Sequence, residues 1–244
     1  MSAVGIIVKR EFASFFATPV AYVFITIFLM LSGIFTFFIG QFFERGQADL
    51  LPFFNFHPWL YLFLVPAIAM RSWSEERKSG TIELLMTLPI SVTQAVLGKF
   101  IAAWAVLGLS LLLTFPLWLT VNYLGNPDNG IILAAYIGSW LMAGAFLAVS
   151  LCMSALTKNQ VIAFILAIVV CFLFVLRGSP IVLDVFQGWA SAMVIDTIAS
   201  LSFLTHFEAM AKGVLALNDV GYFIIVIAIF IVANHMIIEQ KKAD

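Results

Sequence analysis

Apolar positions along this chain run on in long stretches separated by short polar breaks, and the runs do not alternate as half-buried strands would. Six of them are predicted to be membrane-spanning helices: Val20–Phe43, Phe56–Trp73, Ala102–Tyr123, Ile131–Leu156, Val161–Leu176 and Val220–Ile238. A helix needs about 20 apolar residues to cross the hydrocarbon core. Backbone groups cannot stay unpaired there, so only helices or closed barrels can span, and the lack of alternation excludes a barrel. Pro19 suits the first turn of the opening span, and Pro116 is expected to kink the third. The pattern therefore reads as an all-α polytopic membrane protein with six transmembrane helices in one domain, residues 1–244.

The remaining segments are shorter. Within residues 1–17, Val4, Val8, Phe12, Phe15 and Phe16 recur at helical spacing opposite Lys9, Arg10 and Ser14, as in a helix lying in the membrane interface. A signal peptide is the competing reading, but charges interrupt the apolar stretch and no small-residue cleavage site follows. Glu44–Asn55 reads as a polar loop, Leu124–Gly130 as a turn rich in Asn, Pro and Gly, and Thr157–Gln160 as a tight link. Residues 177–219 are semi-apolar. Val182, Val185, Phe186, Trp189 and Met193 give them one helix too short to span, expected to be re-entrant or interfacial.

Six spans put both termini on one side, and charge chooses the side, because cytoplasmic loops are enriched in Lys and Arg. With the N-terminus inside, Lys9, Arg10, Arg71, Arg77, Lys78, Lys99, Lys158, Lys241 and Lys242 are inner; Arg45, Arg177 and Lys212 are outer. Nine of the twelve basic residues favour cytoplasmic termini in a bacterial inner membrane. Residues 177–219 then form the outer region.

Composition agrees. The chain is 63% hydrophobic, with 25 Phe and 10% charged residues, and its mean hydropathy is +1.10. A soluble domain has roughly 45–50% apolar residues and about 25% charged ones. A net charge of −1 offers nothing to nucleic acid. Cys152 and Cys171 lie inside apolar runs and read as packing residues, with no metal site. No phosphate-binding loop exists; Gly98-Lys99-Phe100 lacks both the glycine spacing and the hydroxyl. No nucleophile has a base nearby in sequence, and the spans lack the mid-membrane carboxylates of an ion-driven carrier. The chain itself is not expected to be an enzyme or to bind a cofactor. A transport role would need energy from a partner.

Residues 75–89 stand out. Glu75, Glu76, Arg77 and Lys78 are consecutive, Gly80 allows a sharp turn, Thr81 can cap a helix, and Pro89 stops it. Between them Ile82, Leu85 and Met86 make one apolar face. Two turns do not hold together in water unaided, so a short amphipathic helix at 81–88 is expected to dock on another protein.

The pattern Glu76, Gly80, Thr81, Leu85, Pro89, Ile90 and Ser91 resembles the cytoplasmic coupling-helix motif of ABC-2 type transporter permeases. Lys9-Arg10-Glu11 in the opening helix and the order of the spans are similar to that family as well. His206-Phe207-Glu208, Lys212-Gly213-Val214 and Asp219 through Tyr222-Phe223 resemble its gliding-motility and nitrous-oxide-reductase-maturation branch. The resemblance implies a permease subunit paired with a second copy or a homologous permease, driven by separate cytoplasmic ABC ATPase subunits that bind ATP and Mg, and exporting a substrate. A membrane-anchored outer auxiliary protein is a further candidate partner. It also implies that Glu75, Glu76 and Glu83 are polar contacts to the ATPase, with Ile82, Leu85 and Met86 as the buried anchor.

Two alternatives stay open. The complex could act mechanically on an outer partner without moving a solute, or the chain could be an ion-coupled carrier or channel. In the fourth span Ala135, Ser139, Ala143, Gly144 and Ala148 form a ladder of small residues that lets backbones approach, either inside the bundle or at a dimer seam.

Overall fold

The computed structural model describes residues 3–82, 90–177 and 200–241, and these contain helices and no strand. In chain order the helices are α1 (Ala3–Ala17), α2 (Val20–Ile34), α3 (Leu51–Asn55), α4 (His57–Ala69), α5 (Arg71–Ser79) and α6 (Val92–Leu112). They continue with α7 (Phe115–Leu124), α8 (Asn129–Leu156), α9 (Gln160–Leu176), α10 (Phe203–Ala211) and α11 (Leu217–Gln240). Among the described residues, four stretches are long and apolar enough to cross a membrane: Val20–Ile39, Val92–Leu124, Asn129–Leu156 and Leu217–Gln240. Helix α9 is an apolar helix of 17 residues.

Local chemistry sets the starts. Ser91 and Gln94 form a reciprocal capping box at α6, with Gln94 N donating to Ser91 Oγ at 3.2 Å and Ser91 N to Gln94 Oε1 at 3.0 Å. Asp128 caps α8 and Asn159 caps α9, each accepting from two backbone amides. Proline shapes the breaks. The third apolar run divides at Thr114, and Pro116 sits in the first turn of α7. Helix α2 runs on into one π-helical turn, Phe35–Ile39. The segment expected as a polar loop, Glu44–Asn55, instead carries α3, and Leu50, Phe53 and Phe54 in it are buried.

Helix α8 is the hub, packed against α4, α6, α9, α10 and α11. Lipid tails are as apolar as leucine, so helices in a membrane associate through close van der Waals contact and interhelical hydrogen bonds. The small residues supply the first. Ala135, Ser139, Ala143, Gly144 and Ala148 are all buried. A methyl group at Gly144 would lie 2.9 Å from Trp104 on α6 and 3.0 Å from Ile227 on α11. Trp104 also stacks on Trp140 at 4.1 Å between centroids and donates from Nε1 to the Trp140 carbonyl at 2.9 Å. Within this chain, the ladder is a packing surface.

Hydrogen bonds supply the second. The Ser139 hydroxyl lies 2.7 Å from His57 Nδ1 and 2.7 Å from Tyr61 OH, joining α8 to α4 among Phe28, Phe53 and Phe54. Near the other end of α8, Ser154 Oγ accepts from the amides of Trp73 at 3.1 Å and Ser74 at 3.2 Å and donates to the Met70 carbonyl at 2.8 Å. The first amides of a helix have no internal acceptor. Ser154 thus satisfies the open backbone where α4 ends and α5 begins.

That end of the bundle gathers both ends of the chain. Helix α1 lies across α6 so closely that a methyl group at Gly98 would overlap Ile7. Ile238 of α11 sits in a small cluster with Trp73, Val92, Ala95, Val96 and Ala155. The α8 carbonyls there receive cations, Arg77 Nη1 at 2.9 Å from Ala155 O and Lys241 Nζ at 2.6 Å from Leu156 O, as suits a helix C-terminus.

Candidate coupling site

The charged run is helical. Glu75, Glu76, Arg77 and Lys78 occupy the last two turns of α5, and their side chains point in different directions by helical geometry. Glu75 faces outward and pairs with Arg71 one turn earlier: Arg71 Nε donates to Oε2 at 2.9 Å and Nη2 to Oε1 at 3.2 Å. The guanidinium hydrogen bond holds the Glu75 carboxyl below its ordinary pKa. Glu76 faces inward. Its Oε1 lies 2.7 Å from Lys99 Nζ on α6, and Lys99 also donates to Glu11 Oε2 on α1 at 3.2 Å.

Lys99 is only 5% exposed and sits over the Trp73 ring, 5.2 Å from its centroid. Glu11 is met on its other oxygen by Arg10 at 2.7 Å. Burial alone would raise the Glu11 pKa; the charge of Lys99 and the contacts with Arg10 outweigh it and leave it lowered. One buried ammonium therefore joins three helices, α1, α5 and α6, across long stretches of chain: Glu11 and Lys99 are separated by 88 positions. Beside this cluster an open cavity of about 260 Å³ is lined by Glu11, Ser14, Thr18, Arg71, Glu75 and Lys99, among others.

Helix α5 stops at Gly80, whose φ of 72° is left-handed, a conformation that costs other residues a clash at Cβ. Ser79 Oγ lies 2.9 Å from Thr81 Oγ1 and donates to the Glu75 carbonyl at 2.8 Å, closing the last turn. Thr81 is exposed and Ile82 is half-buried against the Trp73–Val92–Ile238 cluster. Of the residues singled out in the sequence, Glu75, Glu76, Gly80, Thr81 and Ile82 are therefore close together. Glu83, Leu85, Met86 and Pro89 lie outside the described residues, as do Val182 through Met193 of the outer region.

Lys99 is the functional candidate that sequence reasoning missed. Its signal was a lone cation seven residues inside an otherwise apolar helix, which read only as one vote for topology. At the opposite end of the bundle, His206 and Asp219 meet, Nδ1 to Oδ1 at 2.6 Å, while His206 Nε2 donates to the Ser200 carbonyl at 2.8 Å and the ring stacks on Tyr222 at 4.0 Å. These contacts tie α10 to α11.

An all-helical bundle with long apolar spans and hub packing through small residues is the architecture of a multi-pass membrane protein. The chain belongs to the ABC-2 family of transporter proteins: the model of that family, ABC-2 family transporter protein, matches residues 6–241. It is thus a membrane component of an ABC transporter. No curated protein matches it significantly.

Proposed function

We propose that the chain is the permease subunit of an ATP-driven exporter, coupled through residues 81–88 to a separate cytoplasmic ATPase that binds ATP and Mg. The observation that carries this reading is the junction at Gly80. A helix tied by Glu76–Lys99 and by Ser154 to the bundle ends in a left-handed residue and hands over to the amphipathic stretch. Force applied to that stretch would reach α6 and α1 through one buried ion cluster. Family membership supports an ATPase partner, since ABC-2 permeases work with one.

Six crossings fit the arrangement, with α4 and only the first turn of α5, to Trp73, as the second and α9 as the fifth, and both termini cytoplasmic in an inner membrane. A second permease copy, identical or homologous, completes the pathway; an outer auxiliary protein would meet residues 177–219. The sequence resemblance around His206, Lys212 and Asp219 favours the gliding-motility and nitrous-oxide-reductase-maturation branch.

The test is purification of the tagged protein from its native membrane with ATPase assayed in the eluate. A vanadate-sensitive ATPase is expected with the wild type and is expected to be lost with Glu83→Arg plus Leu85→Asp. A folded, abundant protein that brings down no ATPase would refute the reading.

A further inference from the structure

Two adjoining cavities at the Lys99 end have complementary character. The polar one, about 260 Å³, lies between α1, the start of α2 and α5; the second, about 270 Å³, is an apolar groove between α2 and α4. Both are open, and both are lined by Val20, Ile68 and Arg71, so the groove runs directly into the polar cavity. From Val20 to Ile27 the groove follows seven residues of α2, about 10 Å at 1.5 Å per residue. Its walls are Val23, Phe24 and Ile27 on one side and Leu64 and Ala67 on the other.

The polar cavity holds groups that are spoken for and groups that are not. Lys99 is committed to Glu11 and Glu76, and Thr18 Oγ1 to the Ser14 carbonyl. Arg71 uses Nε and Nη2 on Glu75 and leaves Nη1 without a hydrogen bond among the described residues. The Ser14 and Ser72 hydroxyls make none there either. Glu75 is 48% exposed, and a carboxylate has about four acceptor sites, of which Arg71 takes two. What remains for a ligand is one guanidinium edge, two hydroxyls, the outer Glu75 carboxylate and the buried Oε2 of Glu76, which has no hydrogen bond among the described residues, at the mouth of an apolar slot.

From this we infer a binding site for a zwitterionic phospholipid bearing a primary ammonium. Its phosphate lies at Arg71 Nη1 and the Ser14 and Ser72 hydroxyls, since guanidinium edges match phosphate oxygens. Its ammonium donates to Glu75, and the first part of one acyl chain occupies the groove between α2 and α4. The Arg71–Glu75 pair, one turn apart on α5, is itself a dipole of the length and sense that such a headgroup matches. An anionic headgroup satisfies Arg71 and brings Glu75 no cation. A choline headgroup carries the charge and has no N–H to donate.

The test uses the whole chain, purified in mild detergent, exchanged into mixed micelles containing dioleoyl phosphatidylethanolamine, phosphatidylcholine and phosphatidylglycerol in equal amounts. Retained lipid is read by mass spectrometry and the thermal midpoint by tryptophan fluorescence. The ethanolamine lipid is expected to be retained about fivefold over the glycerol lipid, the ratio for one partly exposed ion pair, and to raise the midpoint most, with choline between. Glu75→Gln is expected to abolish the preference while the protein still unfolds cooperatively. Ala67→Phe fills the groove and is expected to lower retention of all three. Equal retention of the three lipids, or a preference unchanged in both variants, overturns the site. A disulfide-linked dimer of Val23→Cys formed in membranes under mild oxidation would place a second copy in the groove and overturns it too. None of these outcomes depends on an ATPase partner.

Discussion

Replacing Lys99 by methionine isolates the ion cluster, because Met keeps the length and apolar stem of lysine and removes the charge. In the intact cluster the ammonium lies 2.7 Å from Glu76 and 3.2 Å from Glu11. At an effective dielectric constant of 20 these distances correspond to attractions of about 6 and 5 kcal/mol. Desolvating three ions costs several kcal/mol each, so the net worth of the assembled cluster is near zero. The single substitution is different. It leaves two largely enclosed carboxylates near each other, with Arg10 the one cation still paired with Glu11 among the described residues, and breaking such a pair costs about 3 kcal/mol. Lys99→Met is therefore expected to be strongly destabilised. The triple variant Lys99→Met, Glu11→Gln, Glu76→Gln removes the unpaired charges and is expected to recover most of the loss. The assay is denaturant unfolding in detergent followed by tryptophan fluorescence, run as a full cycle of single, double and triple variants, since coupled residues do not add. A Lys99→Met loss below about 0.5 kcal/mol, typical of a surface position, would refute the burial argument. A triple variant as unstable as the single would refute the charge argument.

Three more outcomes follow from the same structure. Because the Glu11 pKa is lowered in the fold, its contribution is present above the ordinary carboxylate value of 4.5 and is lost as pH falls through the lower folded value; a stability–pH profile of Glu11→Gln should run flatter than the wild type between the folded value and 4.5, and parallel to it at neutral pH. Ser154→Ala strips the acceptor from two α5 amides and one of two hydroxyl donors from the Met70 carbonyl, which keeps Ser74; it should cost about 1–3 kcal/mol and speed hydrogen exchange at Trp73 and Ser74 before any other amide of α5. Gly144→Leu inserts a side chain where even a methyl group would press on Trp104 and Ile227; overpacking of this kind costs about 1–3 kcal/mol, and the loss of the Trp104–Trp140 stack should show as a shift in near-ultraviolet circular dichroism.

Much of the fold was legible because membrane helices announce themselves by continuous apolar runs, and the small-residue ladder because 3.6-residue geometry puts positions four apart on one face. The same logic explains what could not be read. The break at Met70 has no proline or glycine to mark it; it is held by a serine 84 positions away. The burial of Phe53 and Phe54 under the bundle depends on Pro52 starting a one-turn helix, and a short apolar cluster beside polar residues gives no period to detect. In the candidate site, Gly80 was readable as a turn because only a residue without Cβ sits easily at positive φ. Arg71, taken alone, reads as a cation reaching toward the interface; its partner was one turn away, at the spacing that makes ion pairs on helices. Lys99 was opaque, since its two partners are on other helices and nothing in the run around it distinguishes a buried ammonium from a snorkelling one.

Two connections lead from the junction at Gly80 into the bundle, and they differ in kind. Ile82 touches the cluster of Trp73, Val92 and Ile238, an apolar contact that is non-directional. Glu76 meets Lys99 in a charge pair whose partners cannot separate without leaving a buried charge unpaired. Under the proposed coupling, a displacement of the 81–88 segment would press on the apolar contact and pull on Glu76. Lys99 also holds Glu11, so that pull would move α1 with α6 as one body, with Gly98 keeping the two in register against Ile7. A lipid-facing helix and a spanning helix would then shift together, which is why the ion cluster, and not the solvent-facing charges of Glu75 or Lys78, is the part of the charged run that a chain so poor in charge has reason to bury.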